Sequence, residues 1–284
     1  MKSIAIYALI VGLIGPFTQV ARGQQSEPVQ PPPAAIVGGP QGSTGSPSES
    51  DVATANNPIA PMNAIFFQNF FAPTVYGVPE SSNLLDIRSL VVSGRQIIRA
   101  TLPISSGDDS NGNQQSGLGD FTVYDAIRVT PEESKNVLAV APLLVAPTAT
   151  NRFLGQGKWQ AGFAAVGLHS LSEGSELIGI LAWQHSFAGE HNRPDAQVLT
   201  FQPIVALSIG GGYYVRSSGI WSFDIPNNKN LIPLGVGFGK VFKVDPAIVN
   251  AFIEPQFTVC HRGIGLPSFQ LSSGLFFLFR KKGD

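Results

Sequence analysis

Charged residues are scarce in this chain of 284 residues. Asp, Glu, Lys and Arg together make up 13% of it, about half the share that is usual in soluble globular proteins. Long apolar runs are missing as well, because beyond the N-terminus no stretch approaches the roughly 18 residues that a membrane-spanning helix needs. The chain therefore does not resemble a helical membrane protein, and any membrane crossing must be made by strands whose backbone groups pair with one another.

Cysteine is nearly absent. The single Cys260 cannot form an internal disulfide, and it lies far from the N-terminal region where a lipid-anchor cysteine would be found. His185 and His191 are six residues apart and have no obvious third ligand, so we expect neither a metal site nor a cofactor. An excess of positive charge is also missing, since the formal net charge is -1, and no nucleic-acid partner is expected.

The N-terminus is typical of a secretory signal peptide. Lys2 precedes an apolar run at 4–14, and small residues flank Arg22, so we predict cleavage after Gly23. A single anchoring helix is the alternative, but the run is short for a membrane span. Cleavage removes Lys2, Arg22 and no acid, which moves the net charge from -1 to -3.

Residues 24–57 are dominated by Pro, Gly, Ser and Gln. This composition predicts a flexible periplasmic leader, with a plug or docking segment as the alternative. The predicted organisation is a signal peptide at 1–23, a disordered leader at 24–57 and one barrel domain at 58–284.

The barrel prediction depends on a succession of segments about ten residues long, most of them alternating apolar with small or polar side chains. Short and long connections alternate between them, as in an antiparallel transmembrane β-barrel. The first segment does not alternate cleanly and could instead be an amphipathic helix, so we predict ten to twelve strands. The twelve segments are 63–71, 84–92, 94–105, 118–129, 137–146, 160–169, 177–187, 197–208, 213–223, 231–242, 248–259 and 269–280.

The alternation also assigns the two faces of each strand. Apolar residues of one set face lipid, and the polar set lines the lumen, where charges commonly set pore selectivity. Arginines would favour anions, or the charges would form salt bridges that brace the lumen. Asp125 falls on an apolar face, which requires a bulge or a local partner. The lumen-lining candidates are Asp86, Arg88, Arg99, Asp120, Tyr124, Arg128, Glu254 and Gln256.

Several short motifs resemble a family of outer-membrane β-barrel transporter-like proteins associated with phenol meta-cleavage pathway operons. These motifs are Asn57-Pro58-Ile59-Ala60, Gly117-Leu118-Gly119-Asp120, Ala146-Pro147-Thr148-Ala149-Thr150 and Gly157-Lys158-Trp159. The resemblance covers residues 57–280 and implies a barrel that passes small, even hydrophobic, compounds. It brings no catalytic residues. If the loop at 146–158 folds inward, it would form a constriction. The alternative is a purely structural role, in which Trp159 belongs to the interfacial aromatic girdle.

The sequence thus predicts a monomeric barrel in the bacterial outer membrane, reached by export, that acts as a passive channel for small molecules. Expected partners are outer-membrane lipid, an unknown small solute and the assembly machinery, because the last strand alternates up to Phe279 like the C-terminal signal that this machinery reads. Alternatives are a structural or adhesion barrel without a pore, and a soluble exported β-sandwich. An outer-membrane lipid hydrolase is a further alternative, with serine and histidine drawn from Ser170, Ser186, His169, His185, His191 and His261.

Overall fold

The structure is a computed structural model that describes residues 45–78, 81–108, 113–131 and 134–279. The predicted signal peptide and residues 24–44 of the predicted leader lie outside the described residues. One helix, α1 (Glu49–Asn56), precedes the strands in the described part of the chain. No helix in the described residues is long and apolar enough to cross a membrane.

All the strands belong to one antiparallel sheet. They are β1 (Asn63–Val75), β2 (Ser82–Ser93), β3 (Gln96–Asp108), β4 (Gln114–Leu118), β5 (Phe121–Arg128), β6 (Asn136–Ala146), β7 (Lys158–Ser172), β8 (Ser175–Gly189), β9 (Gln197–Gly210), β10 (Tyr213–Ser217), β11 (Trp221–Asp224), β12 (Lys229–Gly235), β13 (Gly237–Val244), β14 (Ala247–Arg262) and β15 (Pro267–Phe279).

In three places, two strands that follow one another in the chain form one crossing of the barrel wall with an interruption in the middle. β4 and β5 both pair with β3, β10 and β11 both pair with β9, and β12 and β13 both pair with β14. Counting each pair once gives twelve crossings in the described residues. The prediction of twelve strands is therefore confirmed, at the upper end of its range.

The sheet closes because its first strand pairs with its last. The register joins Asn63 to Phe279 and continues to Phe71 beside Leu271. A closed sheet has no free edge, so each of the twelve crossings has backbone partners on both sides. The alternative of a β-sandwich is wrong for this chain, since all strands lie in one closed sheet and no second sheet covers it among the described residues.

The first strand shows why its pattern was ambiguous. Ile65 and Phe67 point outward and are exposed, while Phe66 and Phe70 are buried inside. The inward Phe66 packs against Phe276 of β15, with ring centroids 4.3 Å apart. Both faces are apolar here, so chemical alternation disappears although the strand geometry is regular. The alternative of an amphipathic helix is wrong.

The outer surface of the barrel is apolar. Phe163, Phe238 and Phe257, on three separate strands, are 59%, 62% and 61% exposed. Asp125 interrupts this surface near a short turn, where Gln96 Nε2 donates to its Oδ2 at 3.2 Å. The β5–β6 register is the same on both sides of Asp125, so a local partner, and not a bulge, accounts for it.

The helix α1 corrects the predicted leader. The flexible leader is predicted to extend over 24–57, but within it Glu49–Asn56 form a helix with a capping box between Ser48 and Asp51. Val52 and Ala55 are buried among inward side chains of the barrel, and α1 contacts β8, β9, β13 and β14. The helical part of the leader therefore lies inside the barrel, where it occupies the position of a plug.

Candidate functional site

The barrel interior has two halves of different character. Connections that join strands at one end are short, such as Gly94-Arg95 between β2 and β3 and Glu173-Gly174 between β7 and β8. At this short-turn end, Val52 and Ala55 of α1 belong to one apolar cluster with inward Leu90, Ile97 and Ile248. Connections at the opposite end are mostly longer, and there the interior contains a cavity.

Polar ties fix α1 at the short-turn end. Lys243 Nζ lies 2.7 Å from Asp51 Oδ2, and Asn250 Nδ2 donates to the carbonyl of Ala55 at 2.9 Å. The same Asn250 accepts from the buried hydroxyl of Tyr214 at 2.6 Å. Because Asn250 and Tyr214 are fully buried, the helix is joined to the wall by hydrogen bonds that water does not compete for.

Arg128 belongs to this plugged end. Its side chain is buried, and Nη2 donates to the carbonyl of Ile59 at 3.2 Å, just after α1. The residue faces the interior, as its place in the alternation indicates, but it contacts the chain that fills the barrel.

Glu254 and Gln256 lie inside the barrel within a buried hydrogen-bond network. Glu254 is 0% exposed and accepts from Arg216 Nε at 3.0 Å, from the backbone N–H of Ser218 at 2.7 Å and from the Ser218 hydroxyl at 2.6 Å. Gln256 Nε2 adds a fourth bond at 2.8 Å, and the Arg216 guanidinium lies 3.7 Å from the centre of the Phe252 ring. These groups satisfy one another and brace the wall.

Glycines on β12 and β13 make room for this network and its neighbours. From the sequence we expect Gly235, Gly237 and Gly239 to leave space inside the barrel. Instead, a Cβ at Gly239 would lie 2.1 Å from the Tyr214 ring, and one at Gly237 would lie 2.6 Å from the Glu254 Cβ. The space beside these glycines is therefore filled by side chains, which corrects the expectation.

The cavity at the long-loop end has a volume of about 550 Å³. Cavities of this size hold drug-sized molecules. Strands β2, β3 and β5 line one side with Asp86, Arg88, Arg99 and Tyr124. Strands β8, β9 and β12 line the opposite side with uncharged residues, among them Ile180, Val198 and Leu231.

A loop at 147–157 folds inward over this cavity. Asp120 holds it in place, because its carboxylate accepts from the backbone N–H of Gln156 at 2.6 Å and of Ala149 at 3.2 Å. Gly155 is required beside this carboxylate, since a Cβ there would lie 2.4 Å from Asp120 Oδ1. Phe153 and Leu154 of the loop face the cavity. The inward-folded alternative for 146–158 is thus the observed one.

Two of the motifs that carry the family resemblance meet at this loop. Thr148 Oγ1 accepts from the N–H of Phe121 at 2.9 Å, and Thr150 Oγ1 accepts from the N–H of Leu118 at 3.0 Å. The segments 117–120 and 146–150 are therefore two parts of one structure, the support of the inward loop. Trp159, which follows the loop, points outward and is exposed.

Arg88 and Arg99 are the cations on the charged wall. Arg88 hydrogen-bonds to Gln68 and Asp86, and its side chain is 12% exposed. Arg99 lies 4.7 Å from the centre of the Tyr124 ring. The Nε atoms of Arg88 and Arg99 and the hydroxyl of Thr101 are buried without a hydrogen-bond partner.

The structure therefore divides the eight candidates. Asp86, Arg88, Arg99, Asp120 and Tyr124 border the cavity. Arg128 borders the plug, and Glu254 and Gln256 lie in the buried network. The sequence did not single out individual cavity residues of the loops, because alternation applies to strands alone; these residues include Arg152, Phe153, Leu154, Arg193 and Pro194.

Among the described residues, the hydrogen bonds and ring contacts of the histidines named for a hydrolase join them to groups other than a serine hydroxyl. His169 Nδ1 shares a hydrogen bond with Asn136 Oδ1 at 2.6 Å, and His185 Nδ1 bonds the backbone carbonyl of Ser186. His261 stacks on Tyr76 with ring centroids 3.5 Å apart. Within the described ranges, no group of three or more His, Cys, Asp or Glu residues is placed to hold a metal ion.

Neither a protein-family model nor a curated protein sequence matches this chain. Among solved structures, the chain is similar to an outer membrane channel from Pseudomonas putida F1, with a TM-score of 0.57 and 16% sequence identity. The similarity covers 77% of this chain and 94% of that channel. It supports the predicted class of barrel, whereas the association with phenol operons stays a prediction. In its fold, this chain is similar to an outer-membrane channel.

Proposed function

We propose that this protein is a passive channel for small molecules in the bacterial outer membrane. The observation that carries the proposal is a closed antiparallel barrel with an apolar outer surface and a cavity of about 550 Å³ inside. An apolar outer band suits the hydrocarbon core of a bilayer, and a closed barrel leaves no unpaired sheet edge in it. Twelve strands give a diameter between those of filled eight-stranded barrels and open sixteen-stranded porins, so a narrow path is expected.

The path is narrowed at both ends in this conformation. The α1 plug fills the short-turn end, and the loop at 147–157 covers the cavity at the other end. Passage therefore requires α1 to move, and a change that expels α1 without altering the wall should increase flux.

Conductance of the purified full chain in planar lipid bilayers tests this proposal. Val52→Asp places a carboxylate at a fully buried position of α1, which costs several kcal/mol unless the helix leaves the barrel. Ser50→Asp introduces the same charge at an exposed position of the same helix and is the matched control. We expect higher conductance for Val52→Asp and the wild-type value for Ser50→Asp.

Location is tested separately by fractionation. The chain should remain in urea-washed outer membranes and migrate differently on a detergent gel with and without boiling, as closed barrels do. Recovery in the soluble periplasmic fraction would contradict the membrane proposal.

A structural barrel without a pore is the second candidate. The observation that favours it is the filled short-turn half, in which α1 and the Glu254 network leave little free space. Conductance at the background level for both the wild type and Val52→Asp would support this candidate. The narrower proposal, a role beside phenol-degradation genes, follows from the sequence resemblance alone and is tested by growth on phenol after deletion of the gene.

A further inference from the structure

The charge on one wall of the cavity is incompletely balanced. Arg88 and Arg99 contribute two positive charges. Of the two acids that border the cavity, Asp86 already pairs with Arg88, and Asp120 accepts from backbone N–H groups of the inward loop. Among the residues that the structure describes, no acid lies within ion-pair distance of Arg99. The wall thus has room for one additional negative charge.

Unused hydrogen-bond groups lie at the same place. The Nε atoms of Arg88 and Arg99 and the hydroxyl of Thr101 are buried and unpartnered, and all three residues border the cavity. Arg99 and Thr101 are on β3, and Thr101 is the direct cross-strand neighbour of Arg88. Buried polar groups without partners are costly, so side-chain rotations that bring these groups to an acceptor in the cavity would be stabilised.

The opposite side of the cavity is suited to an apolar body. Ile180, Val198 and Leu231 project from it, and Leu154 covers it from the inward loop. The glutamines on that side are already engaged, since Gln184 Nε2 donates to Gln160 Oε1 at 2.9 Å and Gln202 Nε2 donates to the carbonyl of Ser218 at 3.0 Å. This wall therefore offers apolar contact, and two of its amide N–H groups are already used within the barrel.

We propose that the cavity binds small amphipathic monocarboxylates, with the carboxylate at Arg99, Arg88 and Thr101 and the ring or short alkyl part against Ile180, Val198 and Leu231. One negative charge pairs with Arg99, and a carboxylate accepts from several donors at once. This inference rests on the proposed function, because it names the class of solute that the channel takes up.

Isothermal titration of the full chain in detergent solution tests the inference without requiring passage through a membrane. The probes are benzoate, benzyl alcohol, which keeps the ring and lacks the charge, and acetate, which keeps the charge and lacks the ring. We expect benzoate to bind at least about tenfold more tightly than either, the scale of one hydrogen bond to a charged group. Equal binding of acetate or of benzyl alcohol would overturn the inference.

Variants identify the group responsible. Arg99→Gln should weaken benzoate binding by about tenfold or more and leave benzyl alcohol unchanged. Arg99→Lys keeps the charge and should retain part of the affinity. A change of gel migration on boiling shows that each variant is folded. Arg95→Gln is the matched control, since Arg95 is exposed in a short turn away from the cavity.

The two proposals fail in different ways. Benzoate affinity that is the same for Arg99→Gln and wild type would overturn the inference, even where the channel conducts. If the protein binds benzoate but shows no conductance, the proposed channel function is contradicted and the proposed binding site is not.

Discussion

Replacement of Glu254 by alanine should destabilise the barrel strongly. The carboxylate is fully buried and accepts four hydrogen bonds from Arg216, Ser218 and Gln256. Its removal leaves the Arg216 charge, which is 6% exposed, with the Ser218 hydroxyl and the Phe252 ring as neighbours. Breaking a buried ion pair from one side costs about 3–5 kcal/mol.

A double replacement separates the cost of an unpaired charge from the value of the pair. Arg216→Met with Glu254→Leu removes both charges and keeps similar volume, so we expect a cost well below that of Glu254→Ala alone. Urea titration of the barrel in lipid vesicles, followed by tryptophan fluorescence, measures the free energies of unfolding. Glu190→Ala is the control, because its pair with Arg193 is half-exposed and worth about 1 kcal/mol or less. A double variant less stable than Glu254→Ala would refute this reasoning.

Two further predictions concern packing and acid. Gly239→Ala should lower the free energy of unfolding by about 1–3 kcal/mol in the same titration, since its Cβ would overlap the buried Tyr214 ring. Gly167→Ala has open space and should be near neutral. Equal effects of the two replacements would contradict this packing. Burial raises the pKa of Asp51, but hydrogen bonds from Lys243 and Ser48 outweigh it and hold the pKa below the ordinary 3.8. The stability from this group is therefore present above pH 3.8 and is lost as the pH falls through the lowered pKa, so conductance should rise in acid. Asp51→Asn should show the higher conductance already at neutral pH, and an unchanged conductance of the wild type in acid would contradict the role of Asp51.

The fold was predictable because barrel geometry leaves a repeated trace in the sequence. The outward Ile253, Phe257 and Val259 of β14 alternate with the inward Glu254 and Gln256, and short turns recur at one end. The prediction was least certain at β1, where Phe66 packs inside against a phenylalanine of another strand. There the inner and outer surfaces are equally apolar, and alternation carries no information.

The site was less predictable, because alternation gives the face of a residue and not its partners. Asp86, Asp120 and Glu254 all point inward, yet Asp86 pairs with Arg88, Asp120 holds a loop and Glu254 lies in a closed network. Glu254 and Arg216 are 38 residues apart, so their pairing follows from the register of the closed sheet. The helix α1 did have a local signal, since Ser48 and Asp51 have the spacing of a capping box.

The helix α1 and the loop at 147–157, the two closures of the barrel, are held by different kinds of bond. This difference predicts which of them opens first. At the short-turn end, Asp51 of α1 pairs with Lys243, whose side chain is 27% exposed. At the long-loop end, Asp120 accepts from backbone N–H groups of the loop itself. Salt screens a part-exposed ion pair, whereas it affects backbone hydrogen bonds much less. Rising ionic strength should therefore loosen α1 before the loop at 147–157, which makes the helix the more responsive of the two closures.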